Sequence, residues 1–143
     1  LLPVNGTAED IEKILAMAED YDVIGIDEVM FLGPWIIELC EKLRRKGKRV
    51  VVNGLDMTYE GKPFGCIGTL MAIADDVTKL HAVCMQCGED ALYNQRLING
   101  EPAPLGDLVE LGDNVENAKK ISYEARCINC FVPPEEVNRR KFI

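Results

Sequence analysis

No stretch of the sequence approaches eighteen consecutive apolar residues, which excludes a transmembrane helix. The first residues, Leu1-Leu2-Pro3-Val4-Asn5-Gly6, lack a basic region followed by an apolar one and do not read as a signal peptide. Positive charge is short as well: 16 Lys and Arg stand against 24 Asp and Glu, a formal net charge of −8. A nucleic-acid binder needs a basic surface to displace phosphate counterions, so no nucleic acid is expected as a partner, and no membrane. Internal repeats and low-complexity tracts are also missing. These absences leave an expected soluble protein with a small partner. Its 143 residues suffice for one domain, or one with a small appendage.

What the chain does have is cysteine. Six cysteines without a secretory signal suggest a reducing compartment and metal binding rather than disulfides. Cys84, Cys87, Cys127 and Cys130 form two C-x-x-C pairs. Zinc favours a tetrahedron of thiolates, and each such turn presents two sulfurs to one ion. A redox dithiol would need only one pair, so two pairs favour metal. Four protein ligands leave no open position, and the expected Zn²⁺ is therefore structural, clamping a module too poor in apolar residues to hold itself. Cys40 and Cys66 stand alone in helical patterns and are expected in the core.

Thr7 followed by Asp10 reads as a capping box, with Ile11, Ile14, Leu15 and Ala18 repeating behind it at helical spacing. Asp22 to Asp27 is a short β-branched run that suits a strand covered on both faces. Pro34 opens a second helix with Ile36, Leu39, Cys40 and Leu43 on one side; Gly47 ends it. Lys48 to Asn53 reads as the next strand, Gly65 to Ala74 as a third helix, and Val77 to Val83 as a further strand. Alternating helices and strands predict a parallel-sheet α/β architecture. After Cys84 the strands shorten and turn residues such as Asn99-Gly100 enter. The expected division is 1–83 for the α/β part and 84–143 for a zinc-bound module. The tail beyond Cys130, with Pro133-Pro134, is expected to be loosely ordered.

Ile24-Gly25-Ile26-Asp27-Glu28 is an apolar strand ending in two carboxylates. P-loop enzymes hold Mg²⁺ and aim a nucleophile in this way, and a solvated loop start gives the same residues. Further stretches join it. Ile26-Asp27-Glu28-Val29-Met30-Phe31 resembles the I-D-E-x-Q-F segment of type II, zinc-containing thymidine kinases. Gly54-Leu55-Asp56-Met57-Thr58-Tyr59 with Lys62-Pro63-Phe64-Gly65 resembles their x-L-D-x-T-F/Y-x-x-K-P-F-G segment. Ala74-Asp75, Val77-Thr78-Lys79-Leu80, Ala82-Val83-Cys84-Met85-Gln86-Cys87 and Cys127-Ile128-Asn129-Cys130 follow in the family's order. The match runs from about Tyr21 to Phe131.

The resemblance implies transfer of the ATP γ-phosphoryl to the 5′-hydroxyl of thymidine, on a P-loop NTPase-like (RecA-like) core with a small C-terminal zinc-ribbon and lasso module. It makes Glu28 the general base and Asp27 the carboxylate at the Mg²⁺ site that accompanies ATP. It places Phe31, Leu55, Tyr59 and Phe64 around the nucleoside. Between the cysteine pairs lies the lasso that folds over the base, with Asn94 beside the thymine methyl, Tyr123 as the lasso tyrosine, and Leu108 and Gly112 in its V-x-V-I-G-like stretch. It further implies a cytoplasmic homotetramer inhibited by thymidine triphosphate.

The chain departs from the family at three points. Met30 replaces the family's Gln, and Asn94 replaces Thr, which bears on the fit of the thymine methyl. No G-x-x-x-x-G-K-[ST] loop, whose amides and Lys would cradle the phosphates, occurs in the sequence. In the family that loop precedes the part seen here. The expectation is a sequence incomplete at its N-terminus and inactive alone. The alternatives are a catalytically silent nucleoside-binding paralogue and a kinase for another deoxynucleoside.

Overall fold

The computed structural model describes residues 5–106 and 120–140. The chain divides into two compact units. One comprises Leu1–Asp56 and Pro63–Val77; the other comprises Met57–Lys62 and Thr78–Ile143. The short Met57–Lys62 segment thus belongs with the C-terminal residues, and the sequence boundary at residue 83 falls inside the second unit.

In the first unit, α1 (Ala8–Met17) opens on the expected capping box. The Thr7 hydroxyl accepts from the Asp10 amide at 3.2 Å, and the Asp10 carboxylate accepts from the amides of Thr7 and Asn5. Two otherwise orphaned donors of the first turn are satisfied locally. Strand β1 (Val23–Ile26) then pairs in parallel with β2 (Arg49–Val52), in a register running from Val23 beside Arg49 to Ile26 beside Val52. Helix α2 (Trp35–Arg45) makes the crossover that a parallel pair requires. Its Ile36, Leu39, Cys40 and Leu43 are buried at helical spacing, and Gly47 leaves the helix in the left-handed region at φ +77°.

The core of this unit gathers Ile11 and Leu15 of α1, the buried stripe of α2, Val29, and Ile67 and Leu70 of α3 (Ile67–Ile73). Ile24, Ile26, Val50 and Val52 pack onto it from the sheet. Cys40 and Cys66 lie in this core, as their helical context suggested, and burial pushes the Cys40 thiol up to about 11. Side chains of the opposite parity, including Val23 and Val51, are exposed. Covering on both faces of the strands is therefore met on one face only among the described residues. Helix α3 is shorter than the expected Gly65 to Ala74, because Gly65 at φ +54° and Cys66 hold the chain out of the helix.

The expected strand at Val77 to Val83 is corrected. Only Ala82–Val83 (β3) is extended in a ladder, and it pairs antiparallel with β4 (Asp90–Ala91) in the second unit. Val77, Leu80 and Val83 are exposed, so among the described residues this stretch has no helix layer over it of the kind that buries a parallel strand.

The second unit also holds a three-stranded antiparallel sheet in the order β6 (Glu101–Pro102), β5 (Tyr93–Ile98), β7 (Ile121–Arg126). Asn99-Gly100 forms the two-residue turn between β5 and β6, both residues at positive φ, which suits the twist of a hairpin. Beyond the second cysteine pair, the tail forms α4 (Pro134–Arg140), with Pro134 at the first helical position where its missing N–H costs nothing. The start of that tail, Phe131 and Val132, is tied down. The Gln95 amide exchanges two hydrogen bonds with the backbone of Val132, and Tyr93 stacks on Phe131 at 4.5 Å between centroids. Among the described residues, no helix is long and apolar enough to cross a membrane.

Candidate functional site

Strand β1 delivers Asp27 and Glu28 at its C-terminal end, where open α/β sheets commonly bind ligands. Glu28 adopts φ +51° and ψ +38°, a left-handed conformation that costs an ordinary L-residue roughly 1–2 kcal/mol. The turn is over-determined by its neighbours. The Glu28 amide donates to Asp27 Oδ1 at 2.9 Å, and the Asn53 side-chain amide donates to the same oxygen at 2.8 Å. The Asn53 backbone adds two further bonds, donating to the Ile26 carbonyl and accepting from the Val29 amide. Both carboxylates remain solvent-exposed.

The turn leads into a single 3₁₀ turn, Val29–Phe31. Met30, the residue that stands in place of the family's Gln, is buried, and a Cβ on Gly54 would lie 3.0 Å from its sulfur. Phe31 is 53% exposed and meets Phe64 edge to face at 5.3 Å. Phe31 therefore lies outside the core of this unit. Leu55 is also exposed. Gly65 follows Phe64 in a conformation that admits no side chain: a Cβ would lie 2.5 Å from the Met30 carbonyl oxygen.

The second unit brings a different set together. In the β5–β7 ladder Asn94 stands opposite Ala125 and Arg96 opposite Tyr123, so Asn94, Arg96 and Tyr123 share one face of the sheet. Arg96 is only 1% exposed, and its guanidinium lies 3.7 Å from the centroid of the Tyr59 ring. Such a desolvated cation–π contact contributes on the order of 2 kcal/mol. The Tyr59 hydroxyl donates to the Gly106 carbonyl at 3.0 Å and accepts from the Gly106 amide at 2.9 Å. Tyr59, Asn94 and Tyr123 are thus gathered on one sheet face, with Tyr59 itself buried. Leu108 and Gly112 lie outside the described residues.

The four cysteines Cys84, Cys87, Cys127 and Cys130 converge with all sulfurs within 4.8 Å of one another. Zinc–thiolate bonds of about 2.3 Å put the sulfurs of a tetrahedron roughly 3.8 Å apart, so the set is compact enough to hold one ion. Each pair sits on a tight backbone turn: Gly88 donates to the Cys84 carbonyl, and Cys130 and Phe131 donate to the Cys127 carbonyl. Burial opposes ionisation of Cys84, yet amides of Cys127, Gln86 and Cys87 outweigh it and bring the thiol down to about 6. Hydrogen bonds with Cys87 and Cys127 push Cys130 up instead. Four thiols converging on one point are the donor set a thiophilic cation takes as thiolates. The four-cysteine cluster can hold zinc.

Three residues escaped the sequence reading. Asn53 was visible only as the end of a strand, although parallel pairing of Ile26 with Val52 puts residue 53 beside residue 27. Arg96 offered a signal, since a cation in the middle of a strand must find a partner. Gly106 offered none.

Comparison with known proteins agrees across the chain. The profile of the family described as "Thymidine kinase" matches residues 4–131. A thymidine kinase of Coprothermobacter proteolyticus is 47% identical over 119 residues, covering 83% of this chain and 58% of the relative. A thymidine kinase of Halobacterium salinarum is 43% identical over 133 residues, covering 93% of this chain and 66% of the relative. The chain therefore spans less than two thirds of the length of these relatives.

Proposed function

We propose a phosphotransferase activity on one premise: the chain belongs to the thymidine kinase family. The activity is transfer of the γ-phosphoryl of ATP to the 5′-hydroxyl of thymidine, giving thymidine monophosphate and ADP. Phosphoryl transfer is mainly positioning and charge neutralisation, so the acceptor needs a carboxylate against its proton and the phosphates need a cation. Glu28 takes the first role as general base. Asp27 takes the second at the site of the Mg²⁺ that accompanies ATP.

One observation supports this division of labour above the others. Glu28 is held in the left-handed region, with Asp27 pinned beside it by two donors. Strain of this kind persists only where the surroundings impose it, and it clusters at functional sites. The remaining parts of the reading rest on the family resemblance: a P-loop NTPase-like core, nucleoside contacts drawn from the set between Phe31 and Tyr123, cytoplasmic location, a homotetramer, and thymidine triphosphate as inhibitor.

The test is turnover of thymidine with ATP by the full-length protein. Glu28→Gln keeps the size and polarity of the side chain but removes the base, and turnover should drop on the order of 10²–10⁴-fold. Near wild-type turnover would return Glu28 to a structural role. A second reading has its own support: Asn94 presents an amide on the sheet face shared with Tyr123. A faster rate on deoxyuridine than on thymidine would establish that preference.

A further inference from the structure

Asn53 makes three hydrogen bonds to three residues at the end of β1, Ile26, Asp27 and Val29, and only one of them depends on its side chain. Its amide donates to Ile26 O and its carbonyl accepts from Val29 N, bonds that any residue other than proline would make. The third runs from Nδ2 to Asp27 Oδ1 at 2.8 Å. A carboxylate only accepts, so the amide nitrogen rather than its oxygen must face it. The backbone N–H of Glu28 donates to that same oxygen. Oδ1 therefore carries two donors, whereas Oδ2 has no hydrogen-bond partner among the described residues.

We propose that Asn53 is a positioning residue that holds the Asp27 carboxylate in one orientation and leaves Oδ2 as its single oxygen for a divalent cation. The assignment rests on the reading of this turn as the cation side of a phosphoryl-transfer site. Rotation about the Cβ–Cγ bond of an exposed aspartate is nearly free, so an unheld carboxylate would present either oxygen or both. With Oδ1 occupied by Asn53 and Glu28, Asp27 is restricted to monodentate contact. That suits a small, strictly octahedral ion such as Mg²⁺, which keeps several waters and takes few carboxylate oxygens. In this assignment Asn53 acts through Asp27 and not by a contact of its own with substrate or cation.

The experiment is Mn²⁺ titration, followed by electron paramagnetic resonance, of the full-length protein with a non-hydrolysable ATP analogue. Asn53→Ala removes the side-chain bond and leaves the two backbone bonds. Loss of an outer partner of this kind should weaken Mn²⁺ binding and lower kcat by roughly tenfold each, with the thymidine KM changed by less than about twofold. Asn53→His is the rescue variant, because the ring Nδ1 lies as far from the backbone as the amide nitrogen and can donate to the same oxygen. It should recover most of the Mn²⁺ affinity.

Unchanged Mn²⁺ affinity in Asn53→Ala would overturn the proposal. So would equal weakening in Asn53→Ala and Asn53→His accompanied by a matching fall in melting temperature, which would make Asn53 a purely structural residue. If the wild-type protein bound Mn²⁺ in an Asn53-dependent way yet failed to phosphorylate thymidine, the proposed activity would fall and the role of Asn53 would stand.

Discussion

The left-handed conformation of Glu28 predicts a reversal in the usual order of glycine and alanine. The paired substitutions are Glu28→Gly and Glu28→Ala, which delete the same carboxylate and differ only by a Cβ. With Glu28 at φ +51°, the alanine keeps the steric cost of the left-handed region, roughly 1–2 kcal/mol, and the glycine escapes it. Against this, glycine gives the unfolded chain more freedom, about 0.4–1 kcal/mol in alanine's favour. The difference leaves Glu28→Gly more stable than Glu28→Ala by about 1 kcal/mol, or roughly 2–4 °C in melting temperature for a protein of this class of size. Glu12, exposed in the interior of α1, provides the control: there glycine should be the less stable by about 1 kcal/mol. Urea unfolding followed by circular dichroism reads all four variants. Both Glu28 variants should lose turnover alike, since each removes the proposed base. Glu28→Ala equal to or more stable than Glu28→Gly would refute the argument that the turn stores backbone strain.

Three further outcomes follow from the fold. Cys127→Ser should bring bound zinc well below one per chain and release protection of the β5–β7 amides, read by elemental analysis and hydrogen exchange; full zinc content would dismiss the cluster as its site. Gly65→Ala combines a positive φ with a Cβ 2.5 Å from a backbone oxygen, and a loss of more than about 2 kcal/mol is expected by denaturant titration, because backbone cannot step aside as a side chain can. The amides of Asn5 and Thr7 and the Thr7 hydroxyl hold the Asp10 carboxyl below its ordinary value of 3.8. A depressed carboxyl contributes stability that is present above the unfolded value and disappears as pH falls through the folded one. Asp10→Asn should therefore lower the melting temperature at neutral pH, and the gap to wild type should close in acid; a gap independent of pH would assign the cost to helix packing instead.

What the sequence made legible was local or repeated. The capping box spans four residues, the stripe of α2 repeats every three or four, and each cysteine turn is self-contained. Asn99-Gly100 announces its own hairpin. What stayed hidden depends on partners far apart in the chain: Asn53 with Asp27 across 26 positions, Gln95 with Val132 across 37, and Tyr59 with Gly106 across 47. No periodicity encodes such pairs. The strand misread at Val77 to Val83 has the same origin, because β-branched residues suit any extended chain and only a partner decides whether a ladder forms. The carboxylate pair was visible, but the left-handed turn that aims it was not, since Glu gives no hint of positive φ where Gly or Asn would.

The two cysteine turns have a consequence for how the second unit comes together in time. Each is cheap to form, but Cys87 and Cys127 meet across 40 positions. Closing a loop of that length costs about 3 kcal/mol of chain entropy before any contact rewards it. A structural zinc ion typically returns about 10–16 kcal/mol, several times that cost. An ion caught by one turn would recruit the other, and the β5–β7 ladder, whose end at Arg126 adjoins Cys127, would zip from that junction. Refolding of this unit should then be paced by the zinc concentration, so that the ion acts as the nucleus on which the sheet condenses.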